Sequence, residues 1–111
     1  MNTWKFGPHR IYFTSSHYSN GDTAIQAWHQ EGTSTIPFAI PYARISVNIE
    51  DAPRLPEGQF FLKHWSKNTA IAAAMIAEGL IEKIAYQKVE QAEFVTAHAY
   101  QFTEKGRQYC Q

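Results

Sequence analysis

The chain has 111 residues, of which 44% are hydrophobic and 14% aromatic, and ten basic residues balance ten acidic ones. This composition suits one folded domain, argues against a disordered tail, and gives no net charge to steer the whole molecule towards nucleic acid or an anionic membrane. A single cysteine excludes an internal disulfide, residues 1–10 lack the apolar core of a signal peptide, and the longest apolar helical run, residues 70–77, is too short to cross a bilayer. We therefore expect one cytoplasmic domain spanning residues 1–111, away from membranes. Because near-neutral charge does little to prevent self-association, a homodimer is an open alternative.

The first third of the chain predicts a β-hairpin. Residues 9–18 and 23–29 are rich in aromatic and β-branched residues. They flank Asn20-Gly21, a pair typical of a two-residue hairpin turn because both residues tolerate positive φ. In that register two aromatic pairs face each other across the strands: Phe13 with Trp28, and Tyr12 with His29.

Two further strands are expected before the middle of the chain. Residues 35–40 predict a third strand, in which Pro37 favours an edge position or a bulge. Residues 44–49 alternate between apolar and polar, which predicts a fourth strand. Its buried face would carry Ile45, Val47 and Ile49, and its solvent face Arg44, Ser46 and Asn48.

The second half begins with a proline-containing loop at residues 50–58 and a strand at residues 59–65. One main helix follows, which Ser66 or Asn68 can cap by accepting an orphan backbone N–H. This helix is expected to stop at Gly79, because glycine readily adopts the left-handed conformation that ends helices.

The C-terminal part is expected to return to the sheet. Residues 80–84 fit a short strand or a further helical turn, and residues 93–102 predict a last strand. Thr103 can then cap a short helix through residue 109. The predicted fold is α+β: an antiparallel sheet of four to six strands, with one main helix packed on it and a short C-terminal helix.

Residues 55–82, with the sequence LPEGQFFLKHWSKNTAIAAAMIAEGLIE, resemble the middle of a family of short uncharacterised bacterial proteins. In that family a Leu-Pro-Glu-Gly turn leads to a strand with two aromatics, then to Trp-Ser and a short helix ending in Gly-Leu-Ile-Glu. The Tyr-x-Asn-Gly turn at residues 18–21 and the strand at 45–49 extend the resemblance over residues 9–84; Lys63-His64 and the alanine-rich helix depart from it. Members are often carried on plasmids, phages and other mobile elements and have no established activity. The resemblance therefore implies an accessory protein, gives no catalytic residue, and makes modulation of host defence a candidate role.

Two segments near the C-terminus are similar to parts of winged-helix regulators. Residues 77–83 (Ala-Glu-Gly-Leu-Ile-Glu-Lys) end a helix, and residues 100–107 (Tyr-Gln-Phe-Thr-Glu-Lys-Gly-Arg) lead into another. In those regulators the two segments flank a wing hairpin, although three helices precede the wing and the first half of this chain predicts strands. The alternative function is therefore a nucleic-acid-binding regulator that contacts phosphates through four basic residues: Lys83, Lys88, Lys105 and Arg107.

Reactive residue types are present, but they do not form a recognised constellation. The five histidines include no metal-ligand pair at helical spacing, and the predicted register places His17 and His29 on opposite faces. Ser15 and His17 share a strand face ~6.6 Å apart, without a nucleophile elbow or oxyanion loop. Nothing in the sequence brings Cys110 to a base. We therefore predict no enzyme activity, no metal and no cofactor, and keep a small enzyme or ligand-binding protein as the third alternative.

Aromatic residues give the preferred functional hypothesis. Aromatic side chains on an uncovered sheet face can anchor a protein partner. The candidate binding residues are Tyr12, Tyr18, Trp28, Arg44 and Trp65. The sequence therefore predicts a non-catalytic accessory protein that acts through contact with an unidentified protein.

Overall fold

The structure is a computed structural model that describes residues 2–32, 35–90 and 96–111. Within these ranges the first antiparallel sheet contains β1 (Trp4–Phe6), β2 (His9–His17), β3 (Thr23–Gly32) and β4 (Pro37–Arg44), in that spatial order. The second sheet contains β5 (Ser46–Val47), β6 (Phe60–Leu62), β7 (Ile81–Glu90) and β8 (Thr96–Phe102), in the order β5-β6-β8-β7. The helices are α1 (Thr69–Ala77), preceded by one 3₁₀ turn (Ser66–Asn68), and α2 (Glu104–Arg107). The α+β class is confirmed, whereas the prediction of a single sheet is wrong.

The chain passes from the first sheet to the second at Ile45. The Ile45 N–H donates to the carbonyl of Ile25 in β3 (2.9 Å), and the Ile45 carbonyl accepts from the N–H of Lys63 beyond β6 (2.8 Å). Ile45 lies in the core between the sheets, but Val47 packs on a second cluster, so the predicted shared face is wrong. Ser46 was expected to face solvent and is instead buried. An alternating strand keeps one buried face only while it stays in one sheet, and this strand changes sheets.

The β2–β3 hairpin has a three-residue loop rather than the predicted two-residue loop. The Tyr18 N–H donates to the Asp22 carbonyl (2.8 Å), and the Gly21 N–H donates to the Tyr18 carbonyl (2.9 Å). Gly21 has φ +91°, which is the left-handed residue that closes a three-residue loop. The observed register is therefore one residue away from the predicted one, with Tyr12 opposite Trp28 and Phe13 opposite Ala27.

The helix ends are partly as predicted. Gly79 (φ +74°) ends α1, and the Leu80 N–H donates to the Met75 carbonyl (2.9 Å), as expected for a glycine stop. Asn68 does not act as a cap; its Nδ2 donates to the carbonyl of Arg44 (2.6 Å) and fixes the start of α1 to the sheet crossing. Thr103 caps α2 as predicted, because its Oγ1 accepts the N–H of Gly106 (3.0 Å).

Other boundaries differ from the predictions. The strand expected at residues 59–65 is shorter, and residues 80–84 belong to β7 rather than to a helix. The strand predicted at residues 35–40 is β4, which begins at Pro37 and continues through Pro41. The C-terminal helix, predicted to reach residue 109, ends at Arg107. Of the predicted strand at 93–102, residues 93–95 lie outside the described ranges. The N-terminal strand β1 was missed, although the Gly7-Pro8 dipeptide is a turn signal.

The main core lies between the two sheets and α1. Its largest fully buried members come from every layer: Ile11, Phe13, Ile45, Phe60, Leu62, Ile71, Met75 and Leu80. Successive residues of β6 point to opposite faces, so Phe61 joins a second cluster with Leu55, Ala97 and Ala99 on the far side of the second sheet. None of the helices in the described ranges is long and apolar enough to cross a bilayer.

Candidate functional site

An exposed row of large apolar side chains follows one edge of the first sheet. Its members, at alternate positions, are Ile36, Phe38, Ile40 and Tyr42, which we call the apolar row; they are 70%, 54%, 46% and 36% exposed. Among the described residues, the other large hydrophobic side chain with comparable exposure is Ile76 of α1, at 43%. Exposed apolar surface is therefore concentrated on β4 and the residue before it, which is typical of a contact site.

The register explains how the apolar row comes to lie there. Ile40 is opposite His29 of β3, and His29 is opposite the fully buried Ile11 of β2. Cross-strand partners share a face, so Ile40, with Phe38 and Ile36 at alternate positions, continues the core-facing side of the first sheet. Tyr42 is the extra residue of a β-bulge between Pro41 and Ala43, and its ring contacts with Phe6 and His9 place it on the same side. In the sheet of described strands β4 is an edge strand. The row therefore occupies the margin of the core face that the second sheet and α1 leave exposed.

Side chains of β1, β2 and β3 border the apolar row. The Tyr42 ring lies 6.2 Å from that of Phe6 and 4.9 Å from that of His9, centroid to centroid. The His9 ring meets His29 edge-on at 4.7 Å, and His29 Nδ1 lies 3.3 Å from a carboxylate oxygen of Glu31. Two imidazoles and a carboxylate thus meet at this end of the sheet, a grouping that sequence reasoning missed. No group of three or more histidine, cysteine or acidic residues in the described ranges could hold a metal ion.

The histidines expected to lie on opposite faces do not do so. In the observed register Ile11 is opposite His29, so His17, six positions further along β2, has the same facing as His29. Six positions at the rise of a strand span ~20 Å. The two imidazoles therefore cannot share an ion because of this distance, and not because they lie on opposite faces. His17 Nε2 instead lies 2.8 Å from a carboxylate oxygen of Glu57.

The predicted binding residues form two pairs and one separate side chain. Tyr12 and Trp28 stack with centroids 6.5 Å apart on the outer face of the first sheet, where Trp28 Nε1 donates to Thr14 Oγ1 (2.8 Å). The Arg44 guanidinium lies 5.7 Å from the centroid of the Tyr18 ring at the hairpin end. Trp65 packs on the second cluster, beyond the second sheet. These five side chains therefore do not form one surface.

The basic residues of the alternative hypothesis include two that hold the fold together. Lys105 Nζ donates to the Glu78 carbonyl (2.8 Å), and Arg107 Nη1 donates to the Phe102 carbonyl (3.1 Å). Lys83 is exposed on β7, and Lys88 lies further along the same strand, opposite His98. The two segments similar to winged-helix regulators also touch each other, because Thr103 Oγ1 donates to the Gly79 carbonyl (2.6 Å).

A cavity of about 260 Å³ opens between the two sheets near the C-terminus. Its wall includes the buried Phe13, Ile25 and Phe102, and its exposed rim includes Glu57 and Arg107. Cys110 also lines it, and burial raises the pKa of this thiol to about 11, although Arg107 opposes the shift. The thiol is therefore protonated at neutral pH. The volume of the cavity is below the ~300–1,000 Å³ typical of ligand sites.

A second, more open depression lies between α1 and β8. It is lined by His64 and His98 together with Tyr100 and Ile76. His64 Nε2 donates to the Thr96 carbonyl (2.9 Å), so this nitrogen carries the proton and is already engaged. Burial raises the pKa of Tyr100, so its hydroxyl stays neutral. The structure thus brings together two histidines that are far apart in sequence, which sequence patterns could not have found.

No protein-family model, no curated protein and no solved structure matches the chain. The two resemblances drawn from sequence motifs stay predictions.

Proposed function

We propose that this protein is a non-catalytic accessory protein that acts by binding another protein through the apolar row. The observation that carries the proposal is that, among the residues whose side chains the structure describes, four of the five exposed large hydrophobic ones lie at alternate positions along one edge strand and the residue before it. Covering such a surface with a partner is favourable, because each square ångström of apolar area removed from water contributes roughly 25 cal/mol of stabilising free energy. Isolated exposed hydrophobics are ordinary, but a continuous row on one strand is not.

The polar groups support a non-catalytic role. Glu57, at the rim of the inter-sheet cavity, is paired with His17 in an exposed position. The Cys110 thiol, with its pKa raised to about 11, is a poor nucleophile at neutral pH. The resemblance of residues 55–82 to proteins of mobile elements supports an accessory role in such an element, with modulation of host defence as the setting.

Capture from a bacterial lysate tests the proposal. We expect the tagged wild-type chain to retain a specific protein, which can include untagged copies of itself, and Ile40→Glu to lose it. Ile76→Glu is the matched control, because it makes the same change at a side chain of nearly equal exposure, 43% against 46%, on another element. Equal retention by the wild type and Ile40→Glu would contradict the proposal.

The regulator alternative has its own measurement. Fluorescence anisotropy with duplex DNA at low salt should detect no binding if protein contact is the function. Binding whose affinity falls steeply as salt rises would instead favour a regulator that uses Lys83 and Lys88 on phosphates, because each neutralised phosphate releases counterions.

A further inference from the structure

We infer that the partner of the apolar row is a second copy of this chain, joined by antiparallel pairing of β4 with β4 about a two-fold axis at Ala39; this rests on the proposed function. Residues 36–42 read Ile-Pro-Phe-Ala-Ile-Pro-Tyr. The pattern is symmetric about its centre: alanine, then a large apolar residue, then proline, then a large apolar residue in each direction. A two-fold axis requires a surface that complements itself, and this segment has that property.

The two-fold arrangement matches large side chains across the new strand pair. With Ala39 facing Ala39 of the second copy, Phe38 faces Ile40 of the second copy and Ile36 faces its Tyr42. Each contact joins an aromatic ring to a β-branched side chain, a cross-strand combination that stabilises sheets. None of residues 36–42 is charged, so no like charges meet, and the charged side chains that usually keep edge strands apart are missing from this segment.

The prolines limit the backbone pairing to the centre of the segment. Prolines in sheets lie where their missing N–H would face solvent on an edge strand. Pro37 and Pro41 have the same facing as Ala39, since they are two positions away on either side. Ala39 is then the N–H donor between them on the open edge, and it can exchange a reciprocal pair of hydrogen bonds with its symmetry mate. The association therefore depends mainly on the apolar side chains.

The area of the apolar row indicates a dimer that dissociates on dilution. Aromatic side chains bury roughly 150–250 Å² each; with the lower figure applied to the two isoleucines, four side chains that are about half exposed offer on the order of 350 Å² per chain, or about 700 Å² for the pair. With the flanking backbone this approaches the lower end of specific interfaces, ~1,200 Å² in total. We expect a reversible dimer, populated in the micromolar range rather than obligate.

Sedimentation velocity over a dilution series tests the inference. The variants change Phe38 and Ile40, which face each other across the proposed two-fold axis. The wild type and the control Ile76→Glu should shift from dimer to monomer on dilution. Phe38→Glu alone and Ile40→Lys alone should each raise the Kd by about 100-fold or more, because each places a charge against an apolar side chain. Both sites are about half exposed in the monomer, so the fold should persist, and circular dichroism checks this.

Mixing the two single variants gives the decisive result. In the mixed dimer the introduced glutamate of one chain faces the introduced lysine of the other, while the remaining Ile40 and Phe38 face each other, so a heterodimer should form where neither variant dimerises alone. A monomeric wild type at every concentration, a dimer that persists in both single variants, or a mixture that stays monomeric would each overturn the inference. A monomer that still captures another protein through Ile40 would overturn the second copy as partner and leave the proposed function standing.

Discussion

Replacing Gly106 by alanine tests how α2 is held against the end of α1. Gly106 is buried, and a Cβ placed on it would collide with the carbonyl oxygen of Leu80 and lie 2.7 Å from the carbonyl carbon. Both are backbone atoms, so neither can rotate away. The same approach is fixed by Thr103, whose N–H donates to the Leu80 carbonyl (3.0 Å). Alanine must therefore move α2 away from Leu80.

Opposing contributions determine how much Gly106→Ala lowers the free energy of unfolding. Alanine restricts the unfolded chain more than glycine does, which alone would stabilise the protein by about 0.4–1 kcal/mol. Overpacking of a buried site typically costs about 1–3 kcal/mol, and a backbone collision belongs at the upper end of that range. Weakening of the Thr103 hydrogen bond adds about 1 kcal/mol. The net expectation is a loss of about 3 kcal/mol, or a fall in Tm of about 12 °C for a domain of this size.

Urea denaturation followed by tryptophan fluorescence measures the loss for Gly106→Ala. Gln108→Ala, at an exposed position just beyond α2, is the control and should change the free energy of unfolding by less than about 0.5 kcal/mol. Amide exchange adds a local readout, because the Gln111 N–H donates to the Phe13 carbonyl (2.8 Å) and should exchange faster when α2 is displaced. A Gly106→Ala protein as stable as the wild type would refute the packing of α2 on Leu80.

Two further predictions concern buried polar groups. Ser46→Ala should lower the free energy of unfolding by about 1–3 kcal/mol, because Ser46 Oγ accepts the buried N–H of Ile25 (2.9 Å) and bonds to Tyr18 Oη (2.8 Å). Ser16→Ala, at an exposed position, is the control, and equal urea midpoints for the two variants would contradict the prediction. Cys110 should react slowly with a thiol reagent near pH 8 and faster on urea unfolding or as the pH approaches its raised pKa of about 11. The raised pKa belongs to the folded state, so the thiol loses its proton more readily in the unfolded chain. The free energy of unfolding should therefore fall as the pH rises towards about 11, and Cys110→Ala should remove the part of this fall that the thiol causes.

Local signals in the sequence predicted the elements that depend on a few neighbouring residues. The aromatic and β-branched runs predicted β2 and β3, Gly79 predicted the end of α1, and Thr103 predicted the start of α2. Loop length was less certain, because Asn20-Gly21 fits both a two-residue and a three-residue loop. That difference of one residue changed every cross-strand pair in the hairpin.

Features that depend on distant parts of the chain were not predicted. Ile45 and Val47 alternate as one strand does, and nothing local indicates that the chain changes sheets between them. The candidate site was missed for a related reason. Phe38 and Tyr42 stand at alternate positions with Ile36 and Ile40, but alternation reports which side chains share a face and not whether another layer covers that face.

The closed geometry of the proposed dimer distinguishes β4 from an edge that would promote aggregation. An uncovered apolar edge normally invites open-ended addition of strands. Pairing of β4 with β4 would use both copies of that edge at once. Among the described strands, the other edge of the first sheet is β1, a strand of three residues. Continued growth would need β1 to accept a further copy, and β1 offers too little length for that. Pro37 and Pro41 act in the same direction, because they prevent longer or shifted ladders and favour the register centred on Ala39. In the proposed dimer, the same residues that look unsuitable for a strand thus limit the apolar row to one partner in one register.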